Sequence, residues 1–153
     1  GDKKTSGATI ELLINLKMPA IGLLDSVLTY VHVRDVAEAI FRATEKEGNI
    51  GEKYIVGKEQ VVFRDVCRMI CDISGVPLPK LCMPDTLLLF NARLFTWLSD
   101  IVKKPPLLNM AWDSIRTIKG GLKADGSKAE RELGITYTPV RVAVEDAIKS
   151  LKR

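Results

Sequence analysis

The sequence predicts an α/β fold, mostly helical with a few short strands, on three observations. Apolar residues recur at helical spacing over most of the chain, and runs with the two-residue period of a strand are few and short. Residues 27–44 (VLTYVHVRDVAEAIFRAT) pass from period two to period 3.6 without a break, so a strand turns straight into a helix. Glycines and prolines fall between the periodic stretches, as connections require.

In chain order, residues 6–17 predict a helix with Ile10, Leu13 and Ile14 on one stripe, flanked by Leu12 and Leu16. Pro19 and Gly22 bracket a short extended piece, PAIG. In the strand that follows, Val27, Val31 and Val33 alternate with Leu28, Tyr30 and His32; the β-branched row is expected on a core and the mixed row on a cavity or solvent. Asp35, three residues before Glu38, is expected to cap the next helix, whose Val36, Ile40 and Ala43 recur at helical spacing. The polar turn EGNIGE leads to KYIVG at 53–57, expected as a short strand buried on both faces of a parallel sheet. Residues 63–74 predict a helix stopped by Gly75.

Pro77, Pro79 and Pro84 mark an extended connection, and 85–104 predict the most apolar helix, with Leu87, Phe90, Leu94, Trp97, Leu98 and Ile101 in its stripe. Pro105 and Pro106 end it, and a helix over 109–119 stops at Gly120 and Gly121. Ser127 with Glu130 reads as a capping box for a short helix closed by Gly134. Thr138 with Pro139 at the first helical position opens the last helix, faced by Val140, Val144, Ala147, Ile148 and Leu151.

Composition narrows the class. The 153 residues suit one domain with a sizeable core, and 46% hydrophobic and 27% charged residues argue against disorder. The net charge of +4 sits in the C-terminal half, where basic residues are spread among acids, so nucleic acid is not an expected partner. No apolar run is long enough for a membrane span and no secretory signal is legible, so the cytoplasm is the expected compartment. Cys67, Cys71 and Cys82, an odd number, fit reduced thiols. The start at Gly1, without methionine, is read as that of a fragment.

Five short motifs stand in a telling order: Gly1-Asp2, YVHVRDVAEAI at 30–40, GEKYIVG at 51–57, the helix ending ISG at 73–75, and DGSKAERELG at 125–134. Together they resemble the second half of the extended short-chain dehydrogenases/reductases, the NAD-dependent epimerase/dehydratase family, and are nearest in spelling to its dihydroflavonol reductase-like branch. The resemblance implies the mostly helical C-terminal half of a Rossmann-type fold. Residues 1–153 would be a single substrate-binding domain, with the N-terminal NAD(P)-binding Rossmann half absent.

The chemistry legible in the residues agrees with half a protein. No glycine-rich G-x-G-x-x-G turn is present, so no cofactor-binding residue is assigned, and NAD or NADP would belong to the parent protein. The family's Tyr-x-x-x-Lys pair works from one helix face; its only match here, Tyr54 and Lys58, spans a predicted strand and Gly57 and is read as a decoy. His32 reads as a satisfied wall histidine, and Cys67 and Cys71 as core residues rather than metal ligands with His32 and Cys82. Asp35 and Asp125 read as capping and turn acids, so no catalytic or metal residue is assigned.

By resemblance, Thr5, Ser6, Pro19, Ile21, Leu28 and Tyr30 would line the substrate cavity. Leu28 stands where nucleotide-sugar epimerases resemble each other in carrying an arginine, and a leucine cannot pair with a phosphate. The expected function is the substrate-binding portion of an NAD(P)-dependent oxidoreductase or epimerase acting on a carbonyl or alcohol of a small molecule, without turnover alone. Its expected partners are that substrate and either the missing Rossmann half or a second copy of itself. The alternative is a non-catalytic binding or interaction module that dimerises through an exposed strand edge at 53–57 and the apolar helix.

Overall fold

The computed structural model describes residues 6–18, 20–102 and 112–151. The described elements are α1 (Ser6–Ile14), β1 (Ala20–Ile21), β2 (Val27–Tyr30), α2 (Val33–Glu45), β3 (Glu59–Val62), α3 (Phe63–Ser74), β4 (Leu81–Cys82), α4 (Asp85–Val102), α5 (Trp112–Gly120), α6 (Ser127–Leu133) and α7 (Val140–Leu151). The expected mostly helical α/β chain is thus present, with α3 on its predicted residues and stopped by Gly75 in the left-handed conformation at φ 74°. The expected continuation of α4 to residue 104, the Pro105–Pro106 stop and the start of a helix at 109 lie outside the described residues.

β2 organises the middle of the chain. It pairs antiparallel with β3, Leu28 opposite Val61 and Tyr30 opposite Glu59. On its other edge the Thr29 amide donates to the Leu122 carbonyl at 2.8 Å, and the Leu122 amide to the Val27 carbonyl at 3.0 Å. Gly121 permits that approach, since a Cβ there would stand 2.9 Å from the Val27 carbonyl oxygen. β1 and β4 form a separate parallel pair, Ala20 beside Leu81 and Ile21 beside Cys82.

Three apolar clusters surround these strands. The first joins Ile10 and Leu13 of α1 with Ile21, Val66, Cys67 and Ile70, and with Val140, Val144 and Ile148 of α7. A second, smaller one holds Leu23, Leu88 and Ile115. The third packs Ala39 of α2 against Ala129, Leu133 and Ile135, with Tyr54, Val56 and Tyr137 at its edge. Tyr30, on the row expected to face a cavity, packs against the first cluster, so that row faces the core at its C-terminal end.

Several local expectations are corrected. Residues 53–57 form no strand: β2 pairs with β3 on one edge and bridges to Leu122 on the other. α2 starts earlier than predicted: His32 is its N-cap, its Nδ1 accepting from the Arg34 amide at 3.1 Å. Asp35 lies within the first turn, 5% exposed, and its carboxylate accepts from the Thr138 amide and hydroxyl, each at 2.7 Å. Thr138 is therefore a donor to α2 rather than a cap for α7, whose Val140 amide is taken by Glu59 at 2.8 Å. Ser127 makes no capping bond either: Gly126 is the N-cap of α6, and the Ser127 amide and hydroxyl both donate to Asp125.

The Asp35–Thr138 bonds generate a stability prediction. Asp35→Ala leaves two donors without their acceptor and is expected to cost about 1–3 kcal/mol, with Thr138→Val costing less because the backbone bond remains. Urea unfolding followed by circular dichroism measures both; an Asp35→Ala variant as stable as the parent contradicts this role.

Candidate substrate-binding face

Of the six residues assigned to a substrate cavity, Thr5 and Pro19 lie outside the described residues and Ser6 opens α1. Ile21 is 2% exposed in the first cluster, while Leu28 and Tyr30 are half-buried on β2. Burial, with the Cys67 thiol beside it, pushes the Tyr30 hydroxyl up to about 12. Such a phenol stays protonated at neutral pH and can only donate or accept a hydrogen bond.

An open cleft of about 290 Å³ lies beside the β1–β4 pair, walled by Leu23, Leu24, Met83 and Pro84. Arg64, near the start of α3, and Asp25 stand at its polar side, paired at 2.8 Å, with the exposed Cys82 thiol nearby. The chain bends into this cleft through Leu23, a non-glycine residue at φ 58° whose side chain sits in the second cluster. Ile21 feeds the same place, its carbonyl accepting from the Met83 amide at 2.8 Å. Arg64 and Cys82 were not legible as site residues: a single arginine on an amphipathic helix reads as solvent-facing, and no local spacing links it to Cys82.

The residues weighed for chemistry are placed elsewhere. Tyr54 and Lys58 are held by different carboxylates, Tyr54 donating to Glu132 at 3.0 Å and Lys58 to Glu130 at 2.5 Å, on a stretch with no helix. They do not form a lysine-activated phenol. His32 is buried, its Nε2 3.5 Å from an Asp146 carboxylate oxygen across on α7. Cys67 is fully buried, and burial pushes its thiol up to about 12, with Cys71 one turn on adding to the effect. Two hydrogen bonds from Ser127 hold Asp125 below the usual carboxylate range. Among the described residues no cluster of metal-ligating side chains occurs, and no helix is long and apolar enough to cross a membrane.

No protein-family model matches the chain. It is 31% identical over 121 residues to sterol demethylase protein B of Methylococcus capsulatus, covering 78% of this chain and 36% of that protein. It is 28% identical over 150 residues to a protein of Synechocystis sp. named as a candidate dihydroflavonol 4-reductase, covering 94% of this chain and 41% of the relative. Its fold matches the crystal structure of gox2253 with a TM-score of 0.73 at 33% identity, over 97% of this chain and 44% of that one. The relatives and structural neighbours of this chain are epimerase/dehydratase and dihydroflavonol reductase-like proteins, matched over part of their length. It also matches the fold of a UDP-glucuronic acid 4-epimerase from Bacillus cereus solved with NAD, TM-score 0.61 at 19% identity, covering 99% of this chain and 41% of the epimerase. The chain thus spans about two-fifths of the length of these family members and corresponds to their C-terminal part.

The thiol and phenol environments predict behaviour at alkaline pH. Cys67 and Tyr30 stay protonated in the fold until about 12, whereas in the unfolded chain they ionise from 9.0 and 10.0. The unfolded state therefore loses protons first, and stability falls as pH rises from about 9 to about 12. Urea midpoints at pH 8, 10 and 11 follow the loss, and Tyr30→Phe removes the part that begins near 10. At neutral pH a thiol reagent should modify exposed Cys82 rapidly while buried Cys67 reacts only on unfolding; rapid modification of Cys67 in the native chain contradicts the fold.

Proposed function

We propose that the chain is the substrate-selecting portion of an NAD(P)-dependent oxidoreductase or epimerase that acts on a carbonyl or alcohol carbon of an apolar small molecule. The observation that carries this reading is the fit of almost the whole chain to less than half of a family member. The separation of Tyr54 from Lys58 supports it from the other side, since the described residues hold no lysine-activated tyrosine. NAD or NADP belongs with the portion of the family fold that this chain does not span, and that portion is the chain's partner. The free thiols Cys67, Cys71 and Cys82 suit a reducing compartment such as the cytoplasm.

The apolar character of the substrate rests on the cleft and on Leu28. Met83 and Pro84 offer the open apolar wall, with Leu23 and Leu24 buried behind it, and the one guanidinium there is already paired with Asp25. Leu28 carries no charge for a diphosphate. Two relatives bear names that refer to a sterol and to a dihydroflavonol, neither of them a nucleotide sugar.

A chimera tests the reading. The matched 44% of the gox2253 protein is replaced by this chain, and NAD(P)-dependent turnover is measured on a panel of polycyclic alcohols and of nucleotide sugars. The chimera is expected to prefer the polycyclic alcohols, and Met83→Asp in the cleft wall is expected to raise KM by about tenfold or more with a smaller change in kcat. A preference unchanged from that of the intact gox2253 protein overturns the reading.

A further inference from the structure

α2 begins at an unusual acceptor. Ser, Thr, Asp and Asn ordinarily cap a helix, because their side-chain oxygens accept an amide of the first turn. Here the cap is His32, in extended backbone, and its Nδ1 accepts from the Arg34 amide at 3.1 Å. A neutral imidazole has one nitrogen that accepts and one that donates, so the ring hydrogen is on Nε2. Nε2 stands 3.5 Å from a carboxylate oxygen of Asp146 on α7. Both ring nitrogens are thus engaged, on a residue that is 6% exposed. Unlike the oxygens that usually cap helices, an imidazole is the kind of group that gains a proton between about pH 8 and 5.

A proton added to this ring can go only to Nδ1. There it would face the Arg34 N–H, donor against donor, and leave that amide without its acceptor. The charged side chains on the elements that meet here are Arg34 and Asp35 in the first turn of α2, Glu59 on β3, and Arg141, Glu145, Asp146 and Lys149 on α7. Asp35 takes both donors of Thr138, Glu59 takes the Val140 amide, and Arg141 and Glu145 pair with each other. Asp146 alone draws the charged ring. Its side chain is 35% exposed and also 3.6 Å from the Lys149 ammonium, so that attraction is screened and shared. The lost cap bond and the positive end of the α2 dipole both count against a charged ring at the cap. An imidazolium is therefore better placed swung out toward Asp146 than left where the neutral ring sits.

We propose that His32 is a proton-operated latch between α2 and α7, closed while Nδ1 accepts the Arg34 amide and opened when Nδ1 takes up a proton from water. Opening frees the first turn of α2, which carries Asp35 and with it both bonds from Thr138 at the head of α7. Those bonds join the helix of the third cluster to the helix of the first, so one ring passes the proton's effect to the packing of both. The latch acts within this chain and stands whether or not the chain selects a substrate.

The 153-residue chain itself is the test object, followed by nitrogen NMR of the imidazole, amide hydrogen exchange and urea unfolding at about pH 7.5 and about pH 5.5. At the higher pH the ring is expected to carry its hydrogen on Nε2. At the lower pH the protection factor of the Arg34 amide is expected to fall by about fivefold or more, further than that of Ile70 inside α3, and the urea midpoint to fall with it. His32→Asn keeps an acceptor at the cap that gains no proton in this range, and is expected to remove most of both pH differences. Three results on the parent chain overturn the proposal: a ring hydrogen on Nδ1 at the higher pH, Arg34 protection that is the same at both pH values, or a higher urea midpoint at the lower pH, where the pair with Asp146 would have prevailed. A folded His32→Asn variant that keeps the full pH difference overturns it too. Should that variant fail to fold, the ring tautomer and the Arg34 amide of the parent chain decide.

Discussion

A buried carboxylate must be given donors by the protein, and the bonds from Thr138 to Asp35 meet that demand across the whole fold. Thr138 leads into α7, which completes the first cluster, while Asp35 sits on α2, which completes the third. Two clusters that share no buried side chain are thereby held in one arrangement. Glu59 on the Val140 amide and His32 beside Asp146 act along the same seam, so the N-terminal half of α7 is fixed from β3 and α2 together. The first turn of α2 is placed by those contacts.

That seam explains which parts of the fold were legible. α3 was readable to the residue because its signals are local: an apolar stripe, then a glycine in the left-handed conformation. The caps of α2, α6 and α7 were misread because a capping pattern names an acceptor without naming its donor, and the donors to Asp35 lie 103 residues away. Ser127 matched a capping box, yet Asp125 two residues earlier takes both of its donors. Residues 53–57 have the composition of a strand, and composition is silent on whether a neighbour exists to make the ladder.

The candidate site divides in the same way. The resemblance led to the neighbourhood of β1, where Ile21 turns inward to the core and passes the chain on to Leu23 and the cleft. Arg64 and Met83 complete that cleft from α3 and from the segment before α4, which neither periodicity nor motif order could bring together. Helical spacing read Val36, Ile40 and Ala43 as one stripe of α2, yet Ala39 and Ala43 reach the third cluster while Ile40 stands 62% exposed.

The Arg64–Asp25 pair bears on how the cleft would choose its ligand. The Asp25 side chain is 87% exposed, so the pair is a surface ion pair whose net worth is about 0–1 kcal/mol. A carboxylate or phosphate arriving from solution gains little by displacing Asp25, because it replaces one screened partner with another. Leu23 and Leu24 are themselves buried in the core clusters, so the open apolar part of the wall is Met83 and Pro84. Hydrocarbon placed against those two side chains gains roughly 25 cal/mol for each Å² removed from water, with no prior partner to displace. Under the proposed function that ordering is the opposite of a diphosphate site, where fixed cations supply the affinity, and Leu28 on the neighbouring strand is consistent with it.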